Sequence, residues 1–218
     1  MEEKSSKFEK FDEKFLMKFN ETTPKPDTAD KILEQSQLIY SDIYDLKDEE
    51  YLFLKKEYNI KKLELDLFTD KSLDCGILKY EFDFHETKFL ENNPNIMKII
   101  DIGKRKILES NPYAMAKSNL TSGFIEIQQY TEKSIGKEKY FTWHYDSDAG
   151  ASYTIIFYIV KDPTLIGGSL LYKDQFGQVL KYDIISGLVL HFDSDLEHCP
   201  ESITSGVGVR QSIVIQFY

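Results

Sequence analysis

The sequence predicts an α+β fold, with helices in its first half and a barrel or sandwich of short strands in its second. Two observations carry this expectation. Helix-period apolar patterns end near residue 110. From Gly123 the pattern turns almost wholly to apolar/polar alternation, punctuated at Gly150, Gly167-Gly168, Gly177, Gly187 and Gly206. Many short strands in succession build a sandwich or a barrel.

The elements follow in order. Phe8, Phe11, Phe15 and Phe19 recur at helical spacing within a charged segment, which reads either as an amphipathic helix docked on the body or as a partly disordered tail. Thr22 to Asp27, with two prolines, is a linker that ends in a helix cap at Asp27 or Thr28. Ile32, Ile39, Ile43 and Leu46 predict a helix over about 29–46, and a second covers roughly 48–57. Leu63, Leu65 and Leu67 alternate with acids and read as a strand, as do Leu78, Tyr80, Phe82 and Phe84. Asn93-Pro94 starts a helix with Pro in its first turn. It runs to about Ser110 on an isoleucine-rich face broken only by Gly103, and Asn111-Pro112 stops it. Strands are then expected at 123–130, 139–146, 152–160, 168–173, 178–184, 187–193 and 208–218. The chain thus divides into a charged segment and linker (1–26), a helical and strand support (27–122) and a β core (123–218), together one structural domain.

Composition narrows the function. With 218 residues, 41% hydrophobic and 14% aromatic, the chain can bury a sizeable core. A formal net charge of −10 disfavours nucleic acid as partner, because phosphate binding calls for a basic stripe. Two cysteines, Cys75 and Cys199, do not make a disulfide framework. No apolar run approaches a membrane span, and the charged start lacks the apolar core of a signal peptide, so a cytoplasmic location is expected.

One constellation carries chemistry. His144-Tyr145-Asp146 is followed by His198, 52 residues after Asp146, and by Arg210, 12 residues later. Two neutral imidazoles and a carboxylate bind Fe(II) on one face and leave the other coordination positions open. On an extended chain His144 and Asp146 share a face, with Trp143 and Tyr145 on the other. On the last strand Arg210, Ser212, Val214 and Gln216 share one face, while Ile213, Ile215 and Phe217 share the apolar one. The guanidinium fork of Arg210 matches a carboxylate bidentately, and Ser212 can add a hydrogen bond.

Residues 123–218 here resemble the Fe(II)/2-oxoglutarate-dependent oxygenases, in particular the prolyl-hydroxylase-like group. The matching pieces are Ile127-Gln128-Gln129-Tyr130, His144-Tyr145-Asp146, Thr154-Ile155-Ile156-Phe157-Tyr158, Gly167-Gly168-Ser169-Leu170, Gly187-Leu188-Val189-Leu190-His191-Phe192, His198 and Arg210-Gln211-Ser212. The resemblance implies a double-stranded β-helix, or jelly-roll barrel, with Fe(II) held by His144, Asp146 and His198. It implies 2-oxoglutarate and O2 as cosubstrates, with ascorbate as an accompanying reductant. Arg210 would bind the distal carboxylate of 2-oxoglutarate beside Ser212 and Tyr158, with Tyr130 as a further cosubstrate contact. The implied activity is hydroxylation of a protein side chain such as prolyl.

Other residues read more plainly. His191-Phe192-Asp193 repeats the His-x-Asp form but lacks a later His at the right distance, so His191 is expected on a core strand with its ring satisfied. His85 and Trp143 read as structural, and Cys199 as a small buried side chain. The rim is expected at 147–150 and 161–166. Two alternatives stand beside the leading reading. Nucleobase oxygenases share this site but carry a second Arg six residues after the first, where this chain has Gln216; small molecules belong to the same class of alternative. The other is a non-catalytic barrel that serves as a binding module.

Overall fold

The computed structural model describes residues 39–68, 77–84, 93–112, 114, 120–135 and 142–218. The strands are β1 (Tyr40–Ile43), β2 (Ile77–Asp83), β3 (Gly123–Thr131), β4 (Tyr153–Lys161), β5 (Ile166–Gly167), β6 (Leu170–Lys173), β7 (Val179–Tyr182), β8 (Leu188–Asp193), β9 (His198–Pro200), β10 (Ile203–Ser205) and β11 (Val209–Phe217). The helices are α1 (Glu49–Phe68) and α2 (Pro94–Ser110). A six-stranded sheet runs β1-β8-β4-β11-β3-β2, a three-stranded sheet β7-β6-β9, and β10 pairs with β5. Every pair is antiparallel. This is the α+β jelly-roll arrangement, a larger and a smaller sheet enclosing a barrel.

The two faces of the large sheet follow from strand alternation. Ile213, Ile215 and Phe217 of β11, Ile125 and Ile127 of β3, and Ile155 and Phe157 of β4 are buried in one core with both helices. Burial of each such side chain contributes roughly 1.5–3 kcal/mol. From α1, Tyr51, Leu54 and Tyr58 join this core at helical spacing. The Tyr51 hydroxyl donates to the Ile159 carbonyl (2.7 Å) and that of Tyr58 to Gln128 (2.9 Å). α2 supplies Ile96, Ile99, Ile100 and Ile107. Gly103 lets α2 approach closely, since a Cβ there would lie 2.9 Å from Ile215 Cδ1. The inner face builds a second core, where Ile156, Tyr158, Leu190, Phe192 and Val214 meet Leu170 of the small sheet.

Three expectations are corrected. The helix read over 29–46 ends instead in β1, which pairs with β8 in the register Tyr40↔His191 to Ile43↔Leu188. The free edge of β8 supplies backbone partners that the isoleucine spacing does not register, and the Tyr40 ring stacks on His191 at 4.9 Å. The strand read at Leu63–Leu67 is the last part of α1. Its Leu, Glu and Lys are strong helix formers, and propagating an existing helix costs less than nucleating a strand. Of the strand read over 139–146, the described part, 142–146, makes a single bridge, His144↔His198, followed by a 3₁₀ turn over Asp146–Ala149. Gly150 closes that turn at φ 89°, a left-handed conformation that glycine adopts without strain. The expectations on residues 1–38, and on His85 and Cys75, lie outside the described residues. Among the described residues no helix is long and apolar enough to cross a membrane.

Candidate metal centre

Backbone pairing brings the three expected ligands together. His144 and His198 exchange both N–H···O=C bonds of their bridge at 3.0 Å, which sets the two imidazoles side by side. Their rings lie 4.4 Å apart at 53°. The 3₁₀ turn, anchored by Ser147 N–H to the Ser194 carbonyl (3.1 Å), then carries the Asp146 carboxylate between them. His144 Nε2 is 3.5 Å from Asp146 Oδ1, and His198 Nε2 is 3.8 Å from Oδ2. One ligand atom from each residue falls within 4.8 Å of the others, and no further described acid, His or Cys joins the group.

The hydrogen bonds behind the rings select the form that binds a metal. His144 Nδ1 lies 2.9 Å from the Thr142 carbonyl, and His198 Nδ1 lies 2.9 Å from that of Leu196. A carbonyl only accepts, so each Nδ1 carries the proton and each neutral ring turns its Nε2 lone pair toward Asp146. Burial pushes His198 below the ordinary histidine range, against the opposing pull of Asp146, which favours the neutral ring. Burial alone would raise the Asp146 carboxyl, but contacts from His144, His198 and Thr154 hold it below the usual carboxylate range. Thr154 donates to Asp146 Oδ2 at 2.6 Å and fixes that carboxylate from behind. The donor set is that of a two-histidine, one-carboxylate centre with open positions.

The inner face of the large sheet leads from this centre into the barrel. Thr154 pairs with Gln216, Ile156 with Val214, and Tyr158 with Ser212, and β11 then reaches Arg210. Arg210 is 3% exposed. Its Nη1 donates to the Gly168 carbonyl (2.6 Å), and its guanidinium lies 4.0 Å over the Tyr130 ring. Among the described residues its Nε has no hydrogen-bond partner and no carboxylate forms a salt bridge with it. A buried cation without an acid is costly until an anion joins it. Ser212 Oγ donates to Gln128 Oε1 (3.2 Å). Burial, ahead of the opposing charge of Arg210, pushes the Tyr158 hydroxyl up to about 12.

Two sequence readings gain detail. His191 is on a core strand and 3% exposed, and both its ring nitrogens are engaged, at 2.5 Å by Ser110 Oγ and at 3.0 Å by the Tyr153 hydroxyl. Cys199 is buried, and burial raises its thiol. Trp143 is corrected: it is 37% exposed rather than core, with the Lys173 ammonium 4.9 Å from its ring. The chain turns at Asp146 instead of continuing inward, which leaves Trp143 and Tyr145 on the rim. Sequence reasoning missed Thr154, Glu126 and Gln216. Glu126, Gln216, Asp146, Asp148, Tyr145 and Phe124 line a cavity of about 350 Å³ that reaches His144. The available signal was polarity at inner-face positions of β3, β4 and β11, three strands whose outer faces are largely apolar.

No family model and no curated protein sequence matches the chain. Solved structures do resemble it. A Pseudomonas putida prolyl-4-hydroxylase superposes with a TM-score of 0.57 at 14% identity, covering 86% of this chain and 95% of its own. A full-length Neurospora crassa protein, solved with alpha-KG and 5-formyluracil, gives 0.53 at 14% identity and covers 93% and 79%. A Trichoplax adhaerens prolyl hydroxylase, solved with a peptide fragment of the hypoxia inducible factor oxygen degradation domain, gives 0.50 at 13% identity and covers 86% of each chain. The fold is therefore the double-stranded β-helix of these proteins.

Proposed function

We propose that this chain is an Fe(II)- and 2-oxoglutarate-dependent dioxygenase that hydroxylates a protein side chain such as prolyl. The observation that carries the reading is the convergence of two Nε2 lone pairs, aimed by Nδ1–H···O=C bonds, with the Asp146 carboxylate held by Thr154. His144, Asp146 and His198 would hold the iron. Arg210 would hold the distal carboxylate of 2-oxoglutarate, because its buried guanidinium has no acid beside it among the described residues. Ser212 and Tyr158 would add hydrogen bonds to that carboxylate, and Tyr130 supports the guanidinium from below. When bound, iron and 2-oxoglutarate supply the oxidising chemistry: one oxygen atom of O2 passes into succinate as CO2 leaves, the other into a substrate C–H bond. The residues of this chain bind, orient and exclude water. Thr154 keeps Asp146 in place, and Ile156, Leu190 and Val214 give the inner face between Thr154 and Arg210 an apolar surface that would exclude water from the bound cosubstrate.

A polypeptide substrate is supported by the peptide complex of the Trichoplax neighbour. Nucleobase oxidation is favoured by the 5-formyluracil complex of the Neurospora neighbour. The net charge of −10 weighs against a polyanionic substrate. The experiment is succinate release with Fe(II), 2-oxoglutarate and a peptide library, comparing the chain with His144→Ala and Arg210→Ala. At low 2-oxoglutarate, turnover is expected only in the unaltered chain; high 2-oxoglutarate restores Arg210→Ala in part and His144→Ala not at all. Iron-independent succinate release, or none with any peptide, overturns the reading.

A further inference from the structure

Among the described residues, the cavity beside the triad has a lining of one charge sign. Glu126 reaches it from β3, and Asp146 and Asp148 from the 3₁₀ turn, while neither lysine nor arginine is among its described lining residues. Glu126 is 4% exposed and accepts a hydrogen bond from Gln128 Nε2. An acidic lining alone would say little, since acids often serve only solubility. Gln216 adds an independent sign. It is 8% exposed and lines the same cavity, and its amide oxygen has no hydrogen-bond partner among the described residues. A buried amide oxygen left without a donor is costly, so it fits a ligand that brings one.

The charge balance points the same way. A divalent ion on the triad carries two positive charges against the single negative charge of Asp146. Glu126 and Asp148 reverse that balance in the cavity beside the triad. A neutral or anionic substrate would gain nothing from two carboxylates there and would pay for their desolvation. A guanidinium or ammonium group satisfies both acids and the Gln216 oxygen together. The rim suits an extended chain: Trp143 and Tyr145 are 37% and 40% exposed, and the Trp143 ring already stands beside the Lys173 ammonium.

We propose that the entrance to the metal centre recognises a cationic side chain of a polypeptide substrate, through Glu126, Asp148 and the Gln216 amide. The proposal rests on the oxygenase reading and narrows its substrate class to polypeptides that present an arginine or lysine at the site. Trp143 is the only tryptophan in the chain, so its fluorescence reports binding without turnover. The test uses the Mn(II)-loaded full chain with two probes, acetyl-Gly-Arg-Gly-amide and its citrulline counterpart, which has nearly the same shape and no charge. The arginine probe is expected to bind roughly 10- to 100-fold tighter, the range of a charge-assisted hydrogen bond. Glu126→Gln, with its folding checked by thermal unfolding, should remove most of that preference. Asp148→Asn, on the exposed turn, should reduce it even if Glu126→Gln fails to fold. Equal binding of the probes, no binding of either, or a preference unchanged in the variants overturns the proposal. Binding of 2-oxoglutarate to the same Mn(II) protein separates the two ideas. Its failure beside a persisting arginine preference overturns only the oxygenase reading; its success without a preference overturns only the cationic entrance.

Discussion

Two His-x-Asp sequences lie on opposite sides of one sheet, and their fates differ. His144-Tyr145-Asp146 sits at the mouth of the barrel, with His198 bridged to it. His191-Phe192-Asp193 lies on β8, with the His191 side chain on the outer face against α2. The difference is in what each ring is asked to bond. At the barrel mouth, backbone carbonyls take one nitrogen of each imidazole and leave the other aimed at a carboxylate. On the outer face a closed chain of groups consumes both nitrogens. Asn111 Nδ2 donates to the Tyr153 hydroxyl, which donates to His191 Nδ1, while His191 Nε2 donates to Ser110 Oγ, which donates to the Lys106 carbonyl. Asp193 Oδ1 caps a turn by accepting from Asp195 N–H. One motif thus makes a candidate metal site in one place and a structural hydrogen-bond relay in the other.

The largest expected effect would break this comparison if it failed. His198→Ala removes a ligand and should weaken Mn(II) binding by about 100-fold or more, beyond the loss typical of a supporting partner. His191→Gln should leave Mn(II) affinity where it was. Titration calorimetry on both folded variants checks the pair, and equal losses would mean that the ring environments do not separate the two histidines. A smaller effect sharpens the same point. Thr154→Val keeps the shape but removes the hydroxyl that holds Asp146 Oδ2, so Mn(II) affinity should fall roughly 10- to 100-fold. Retained affinity would show that the 3₁₀ turn alone positions the carboxylate.

The triad was legible in the sequence because its meaning lies in residue type and spacing, and the decoy was recognisable by its missing third member. The inner and outer faces of β11 were legible for a similar reason, since strand alternation is a local property. What failed was decided at a distance. Ile39 and Ile43 fit a helix, but the open edge of β8 recruits the segment as a strand. Leu63, Leu65 and Leu67 alternate like a strand, yet α1 runs through them. Trp143 should have turned inward had the chain stayed extended; the turn at Asp146, closed by Gly150, left it on the rim. Glu126 and Gln216 were written in the sequence as polar residues on the face opposite the isoleucines of their strands, but only the register of β3 with β11 sets them beside one cavity.

The smallest effect is read in pH. Burial pushes His191 down to about 4, whereas an unfolded chain returns it to about 6.5. Between these values the unfolded state holds a proton that the folded state lacks, so stability rises with pH. The contribution of the neutral ring is complete above about pH 6.5 and is lost as pH falls toward about 4, with a slope of about 1.4 kcal/mol per pH unit. Urea midpoints of the metal-free chain at about pH 7 and about pH 5 measure this slope. His191→Gln lowers stability at both values, because it opens the relay through Tyr153 and Ser110. The slope is the informative quantity, since Gln cannot titrate and the triad histidines contribute equally to both proteins. A shallower slope in the variant places the titration in the outer-face relay. An identical slope assigns it to the metal centre, and the two His-x-Asp sites would then differ in bonding but not in protonation.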